Sequence, residues 1–326
     1  MAQLIYGFGS SHSPQLNMPA EAWHIRAQAD RRIRDLIGVD GEVSGYEDLM
    51  NRRDDLSVIA KEITPEKFEK RHQENQAAIN RISEALYRVD PDILVMVGDD
   101  QQEYLRDDNM PGMCVYWGDE VLVKAIPTVN GVEAIGDSQR DRTVPTHSAL
   151  GRHLIEYLVE AEFDVGRSSF LEGGRADGGI GHAFSYVYHR LMTGKVIPTV
   201  PIMVNTYYPP NQPTPKRCYD FGRTLRSAIE AWPGKARVAI LASGGLSHFV
   251  VDEELDQQCM DGIKNKNIIS LSQLPRHKLN SGNSEVRNWI IAAGAVEHLD
   301  LDYMTYIPCY RSEAGTGCAM AFAEWC

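Results

Sequence analysis

The chain has 326 residues, 43 % of them hydrophobic, and a formal net charge of −12 with pI ≈ 5.3. That length suits one α/β domain with a sizeable core. The acidic balance disfavours nucleic acid as a partner, and no apolar run reaches the roughly 18 residues of a membrane span.

Gln3–Gly9 (QLIYGFG) reads as a first strand that breaks at Ser10-Ser11-His12-Ser13-Pro14. Its flank lacks the basic-then-apolar pattern of a secretory leader. Residues 19–90 follow as a charged, mostly helical insertion, with helices expected over Ala20–Ile37 and Pro65–Arg88. In the second of these, Ala78, Ile79, Ile82, Ala85 and Leu86 recur at helical spacing. Ile93–Val97 (ILVMV), bounded by Pro and Gly, reads as a fully buried strand. Val196–Val204 and Ala236–Ala242 read likewise. Helices are expected over His147–Glu160, Ala183–Met192, Pro215–Ala231 and Glu285–Ala293, and a closing strand over Thr316–Trp325. Strands alternating with helices predict a central mixed sheet covered by helices on both faces, in a single domain over 1–326. The six cysteines form no C-x-x-C pair, so reduced thiols in a cytoplasmic protein are expected.

Polar clusters stand at the strand ends, where open α/β sheets gather their chemistry. His12 follows the first strand, Gly98-Asp99-Asp100-Gln101 follows ILVMV, and Ser243–His248 follows the Ala236–Ala242 run. An imidazole held between small residues and a proline is a candidate metal ligand. A loop histidine bonded to backbone is the plainer alternative for His12. His248, after two glycines, can act as an acid/base near neutral pH. Asp252-Glu253-Glu254 opens a helix; an acidic first turn favoured by the helix dipole accounts for one or two of these carboxylates without a metal. His182 follows the glycine-rich turn Asp177-Gly178-Gly179-Ile180-Gly181, and His147 reads as a helix cap.

GFGSSHSP (7–14), DILVMVGDDQ (92–101) and HSALGRHLIEYLVEAEFDV (147–165) form one ordered set of blocks. KVIPTVPIMVNTYYPPNQPTPKRC (195–218), ASGGLSHF (242–249), DEELD (252–256) and SGNSEVRNWIIAAGA (281–295) complete it. Together they resemble the class III extradiol ring-cleavage dioxygenases, in particular the protocatechuate 4,5-dioxygenase catalytic (beta) subunit family. The resemblance implies one non-haem Fe(II) held by two histidines and a glutamate, with His12 as first ligand and Glu254 as the carboxylate. It implies His248 as acid/base, and a catecholic aromatic acid of protocatechuate, gallate or 3-O-methylgallate type as substrate, with O2. The second histidine ligand of that family falls on Gln101, preceded by Asp100. Were a carboxylate such as Asp100 or Glu103 to replace it, Mn or Zn would suit the site as well. The family's Asp-His-Gly motif reads Asp177-Gly178-Gly179 here, so His182 is expected to bring its ring into the pocket as a catalytic residue. Asp100, Tyr207, Thr316 and Arg311 are candidate substrate contacts. The 19–90 insertion is expected to serve as a lid, a part that the protocatechuate enzymes take from a separate small subunit, and a homo-oligomer is expected. A metal-dependent hydrolase or lyase on the same fold is the alternative that Gln101 supports.

Overall fold

The structure is a computed structural model that describes residues 1–172 and 178–326. Asp177 therefore lies outside the described residues. Among the described residues, nine strands join one mixed sheet. They are β1 (Gln3–Ser10), β2 (Ile93–Asp99), β3 (Met113–Tyr116), β4 (Gly166–Ser168), β5 (Thr199–Val204), β6 (Arg237–Ser243), β7 (His248–Val250), β8 (Leu301–Tyr310) and β9 (Thr316–Trp325). Their spatial order is β4-β3-β5-β2-β6-β1-β9-β7, and β8 pairs with β9. The centre, β5-β2-β6-β1, is parallel. On one side β3 joins β5 antiparallel; on the other β9 joins β1 antiparallel. The helices used below are α1 (Trp23–Asp30), α2 (Pro65–Val89), α3 (Ser148–Glu160), α4 (His182–Tyr186), α5 (Pro215–Ala231), α6 (Glu253–Lys264) and α7 (Val286–Ala295).

The central strand shows why ILVMV carries no polar alternation. Successive strand side chains point to opposite faces, and here both faces are covered. Ile93, Val95 and Val97 join a core with Leu154 of α3, Leu225 of α5 and Ile290 of α7. Leu94 and Met96 join another with Ile79, Ile82 and Leu86 of α2. α2 begins where Thr64 accepts a hydrogen bond from the Lys67 amide ahead of Pro65, and ends at Asp90 in the left-handed region (φ 43). The five apolar positions read from its spacing are all buried. His147 caps α3 by accepting from the Leu150 amide.

Two expected helices take another form. Ala20–Ile37 is not continuous: α1 stops at Asp30, and Leu36–Ile37 pairs with Val43–Ser44 as a short hairpin. The physical reason is tertiary. Asp30 is drawn into a buried ion pair with Arg311, and Leu36 packs with Tyr46, Leu49, Val250 and Ala314. Ala183–Met192 begins one residue earlier and divides into α4 and a wider π turn, Val187–Leu191. β8 and β3 escaped the sequence reading; β8 is half-exposed over much of its length and lacks a clean apolar pattern. Among the described residues, no helix is long and apolar enough to cross a membrane.

Candidate functional site

The carboxyl ends of β1, β2 and β6 lie side by side, and each delivers a polar side chain to one buried point. His12 leaves β1 through Ser11, whose amide donates to Ala321 O and whose hydroxyl accepts from the Ala321 amide. The His12 Nδ1 lies 3.0 Å from Ser243 Oγ, and that hydroxyl donates to Ala183 O at 2.6 Å. A hydroxyl has one hydrogen, so the His12 Nδ1 carries its proton and donates to Ser243. The Nε2 lone pair is left facing Glu285 Oε2 at 3.4 Å and Asp99 Oδ1 at 3.8 Å.

Glu285 ends a 3-10 turn, Ser281–Glu285, that leads into α7. It is 1 % exposed. Its Oε2 accepts from the Gly245 amide at 2.7 Å, and its Oε1 accepts from His248 Nε2 at 3.0 Å and Gln101 Nε2 at 3.2 Å. Asp99, at the end of β2, accepts from Gln101 Nε2 at 3.0 Å and Asn288 Nδ2 at 3.3 Å. Burial pushes the Asp99 carboxyl up, and Glu285 adds to the effect. Burial also opposes the charge on Glu285, but the His248 and His12 imidazoles outweigh it and hold that carboxyl well below its ordinary range. Two buried carboxylates and an imidazole lone pair thus meet at one point, which is the donor set of a divalent cation site.

His182 closes this group. One ligand atom each from His12, Asp99 and His182 lie within 4.8 Å of one another. Glu103 holds His182 in place, accepting from its amide at 2.8 Å and meeting Nδ1 at 2.9 Å. Burial works against a charge on His182, but Glu103 prevails and raises its pKa to about 10. A histidine whose second nitrogen bonds a carboxylate is the usual arrangement behind a metal-bound imidazole.

His248 stands at the start of β7. Its Nδ1 donates to Leu246 O at 2.9 Å, so Nε2, beside Glu285, is the nitrogen free to exchange a proton. Burial opposes its charge, and Glu285 more than compensates, raising it well above its ordinary value. His12, Gln101, Glu103, His182, His248 and Glu285 line a cavity of about 290 Å³ that also includes Arg26, Tyr207 and Arg311. That volume is at the small end for small-molecule sites and suits a single aromatic ring. The Tyr207 hydroxyl is buried without a hydrogen-bond partner. Burial, then Glu285 and Asp99, raise its pKa well above the ordinary value.

Several expected site residues stand elsewhere. Glu254 does not meet His12: it is exposed on the first turn of α6 and accepts from Gln258 at 3.3 Å, and the buried carboxylate beside His12 belongs to Glu285. Its neighbours have structural work. Asp252 caps α6 and pairs with Lys278, and Asp256 binds Ser247 and Tyr306. Asp100 does not line the cavity either; it accepts the amides of Glu103, Tyr104 and Leu105 and shapes the turn that carries Gln101. Thr316 is buried away from the cavity, donating to Asp30 at 2.6 Å. Arg311 reaches the cavity, but its guanidinium is engaged by Asp30 and Gln15. Gln101 is at the centre with its amide nitrogen toward both carboxylates, so it orients them rather than offering its oxygen. Glu285 and Arg26 carried no role in the sequence reading, and Asp99 stood there only within the polar run after ILVMV. Glu285 had one signal: a lone acid ahead of the apolar helix VRNWIIAAGA.

Residues 57–314 match the family model described as the catalytic LigB subunit of aromatic ring-opening dioxygenase. The chain is also 34 % identical over 174 residues to a gallate dioxygenase of Pseudomonas putida, a stretch covering 49 % of this chain and 49 % of that protein. It thus spans about half the length of this curated relative. His12 and Arg26 precede the family match, whereas Asp99, His182, His248 and Glu285 fall inside it.

Proposed function

Because the chain belongs to the family of the catalytic LigB subunit of aromatic ring-opening dioxygenases, we propose that it opens the ring of a catecholic aromatic acid with O2, using one Fe(II) ion. The observation that carries this reading is the convergence of His12 Nε2 with Asp99 and Glu285 while His248 Nε2 stands 3.0 Å from the same glutamate. His12, Glu285 and Asp99 would hold the ion and His182 would complete the set, two imidazoles with carboxylate, in place of the histidine that Gln101 replaces. Bound iron supplies the redox chemistry that joins a diol to O2.

The chain's own residues do the rest. With Glu285 committed to the ion, His248 would lose the partner that favours its charge, and its Nε2 would take the proton of a diol hydroxyl. The Nδ1 bond to Leu246 O fixes which nitrogen works. Later the same nitrogen returns the proton to the departing oxygen. Gln101 keeps Asp99 and Glu285 aimed at the ion, Glu103 keeps His182 turned toward it, and the Tyr207 hydroxyl is placed to donate to a substrate oxygen. The six free cysteines fit a reducing, cytoplasmic setting.

The test is oxygen uptake with a panel of dihydroxybenzoates and trihydroxybenzoates after anaerobic Fe(II) loading, with bound iron assayed in parallel. One O2 consumed per substrate is expected. Iron bound without uptake on any member of the panel would sink the dioxygenase reading. The carboxylate-rich donor set also accommodates Mn or Zn, which favours a hydrolase or lyase as second reading; that enzyme would turn substrate over without O2.

A further inference from the structure

We propose that Arg26, supplied by α1, anchors the carboxylate of the aromatic acid and thereby sets the preference for anionic over neutral diols. The inference rests on the catecholic-acid reading of this cavity. Arg26 lines the same cavity as His12, His248 and Glu285. Its Nε is buried with no hydrogen-bond partner, while Nη1 donates to Asn130 Oδ1 at 3.2 Å. A guanidinium is a planar fork whose paired donors match a carboxylate, and this one keeps a buried donor that no protein atom accepts.

The neighbouring guanidinium cannot take that role. Arg311 donates from Nε and Nη2 to the two oxygens of Asp30, at 2.6 and 2.8 Å, and from Nη1 to Gln15 Oε1 at 2.9 Å. With Arg26 and Arg311 positive and Asp30 negative, this cluster holds one positive charge in excess. Burial and then the Arg311 charge pull the Arg26 pKa down to about 10, which leaves it charged at neutral pH but short of an anion. A substrate carboxylate supplies the missing charge. Arg26 and Asp30 are four apart on α1 and so share a face. Asp30, gripping Arg311 and Thr316 on the β9 side, fixes the helix and with it the guanidinium. α1 precedes residues 57–314, the region matched to the family.

Calorimetric titration of 3,4-dihydroxybenzoate and its methyl ester into wild type, Arg26→Gln and Arg26→Lys decides it, with metal-free and Fe(II)-loaded protein under anaerobic conditions. Wild type is expected to bind the acid more tightly than the ester. Arg26→Gln should lose at least about tenfold in affinity for the acid and change less than twofold for the ester, with Arg26→Lys in between. An acid-to-ester ratio unchanged in Arg26→Gln, or a wild type indifferent to the carboxylate, overturns the proposal. Arg26→Lys keeps the charge and so guards against a fold lost in Arg26→Gln. Because binding needs no turnover, a wild type that consumes no O2 refutes the ring-opening reading while the ratio still decides the role of Arg26.

Discussion

Glu254 and Glu285 are the same side chain in opposite surroundings, and the difference decides which can hold a cation. Glu285 is buried among His12, His248, Gln101 and the Gly245 amide, whereas Glu254 faces solvent. Glu285→Gln removes the charge and keeps the shape, so affinity for Fe(II), read by competition with a chelator, should fall by about 100-fold or more, beyond the ~10–100-fold typical of outer-shell changes. Glu254→Gln should bind metal as wild type does; the reverse pattern would return the ligand to α6. His248→Gln should lower kcat by about 10²–10⁴ and leave the iron content of loaded protein unchanged. Loss of iron in that variant would make His248 a ligand instead. His12 and His248 were legible because small residues and glycine mark strand ends where a side chain can be held out of the sheet. Glu285 was not, because the local signal of an acidic helix start is stronger at Asp252–Glu254, and burial of one glutamate is a property of the packed molecule.

Among the elements, the strands and helices with a strong apolar period were readable nearly to the residue: Pro215–Ala231 and Thr316–Trp325 have the bounds expected of them. The failures differ in cause: the region after α1 owes its form to partners distant in sequence, whereas β8 pairs with the neighbouring β9 but, half-exposed, carries no clean apolar period. Contact between α5 and α7 is also invisible in hydrophobic pattern, because it is made by glycines. A Cβ on Gly222 would lie 1.9 Å from Ile291 O, and one on Gly294 would lie 2.3 Å from Tyr219 O. The two helices therefore approach backbone to backbone. Gly222→Ala removes a helix-weakening residue, worth about 1 kcal/mol in its favour, but the clash is with main chain that cannot swing aside. Overpacking of this kind costs about 1–3 kcal/mol or more, so urea unfolding should show net destabilisation. A variant as stable as wild type would mean that the helices separate at little cost. α7 also carries Asn288 to Asp99, so the same variant should weaken metal binding.

Asp256 joins three parts of the molecule: α6, on which it sits, β8 through Tyr306, and the turn that presents His248 through Ser247. It accepts from the Ser247 amide at 2.7 Å, the Ser247 hydroxyl at 2.6 Å and the Tyr306 hydroxyl at 2.7 Å. Burial nevertheless dominates these donors and raises its pKa from 3.8 to about 7. A carboxyl whose folded pKa lies above its unfolded value binds its proton more tightly when native. Its contribution to stability is fully present below pH 3.8 and is lost as pH rises through about 7. Asn cannot titrate, so Asp256→Asn should remove that part of the pH dependence. Urea unfolding of metal-free wild type and Asp256→Asn at pH 5 and pH 8 makes the comparison, since other titrating groups cancel between the two proteins. Wild type should lose more stability than the variant between these conditions, so that the variant's deficit shrinks or reverses at pH 8. An equal deficit at both pH values would mean that Asp256 is ionised throughout and that its three donors, rather than burial, set its charge.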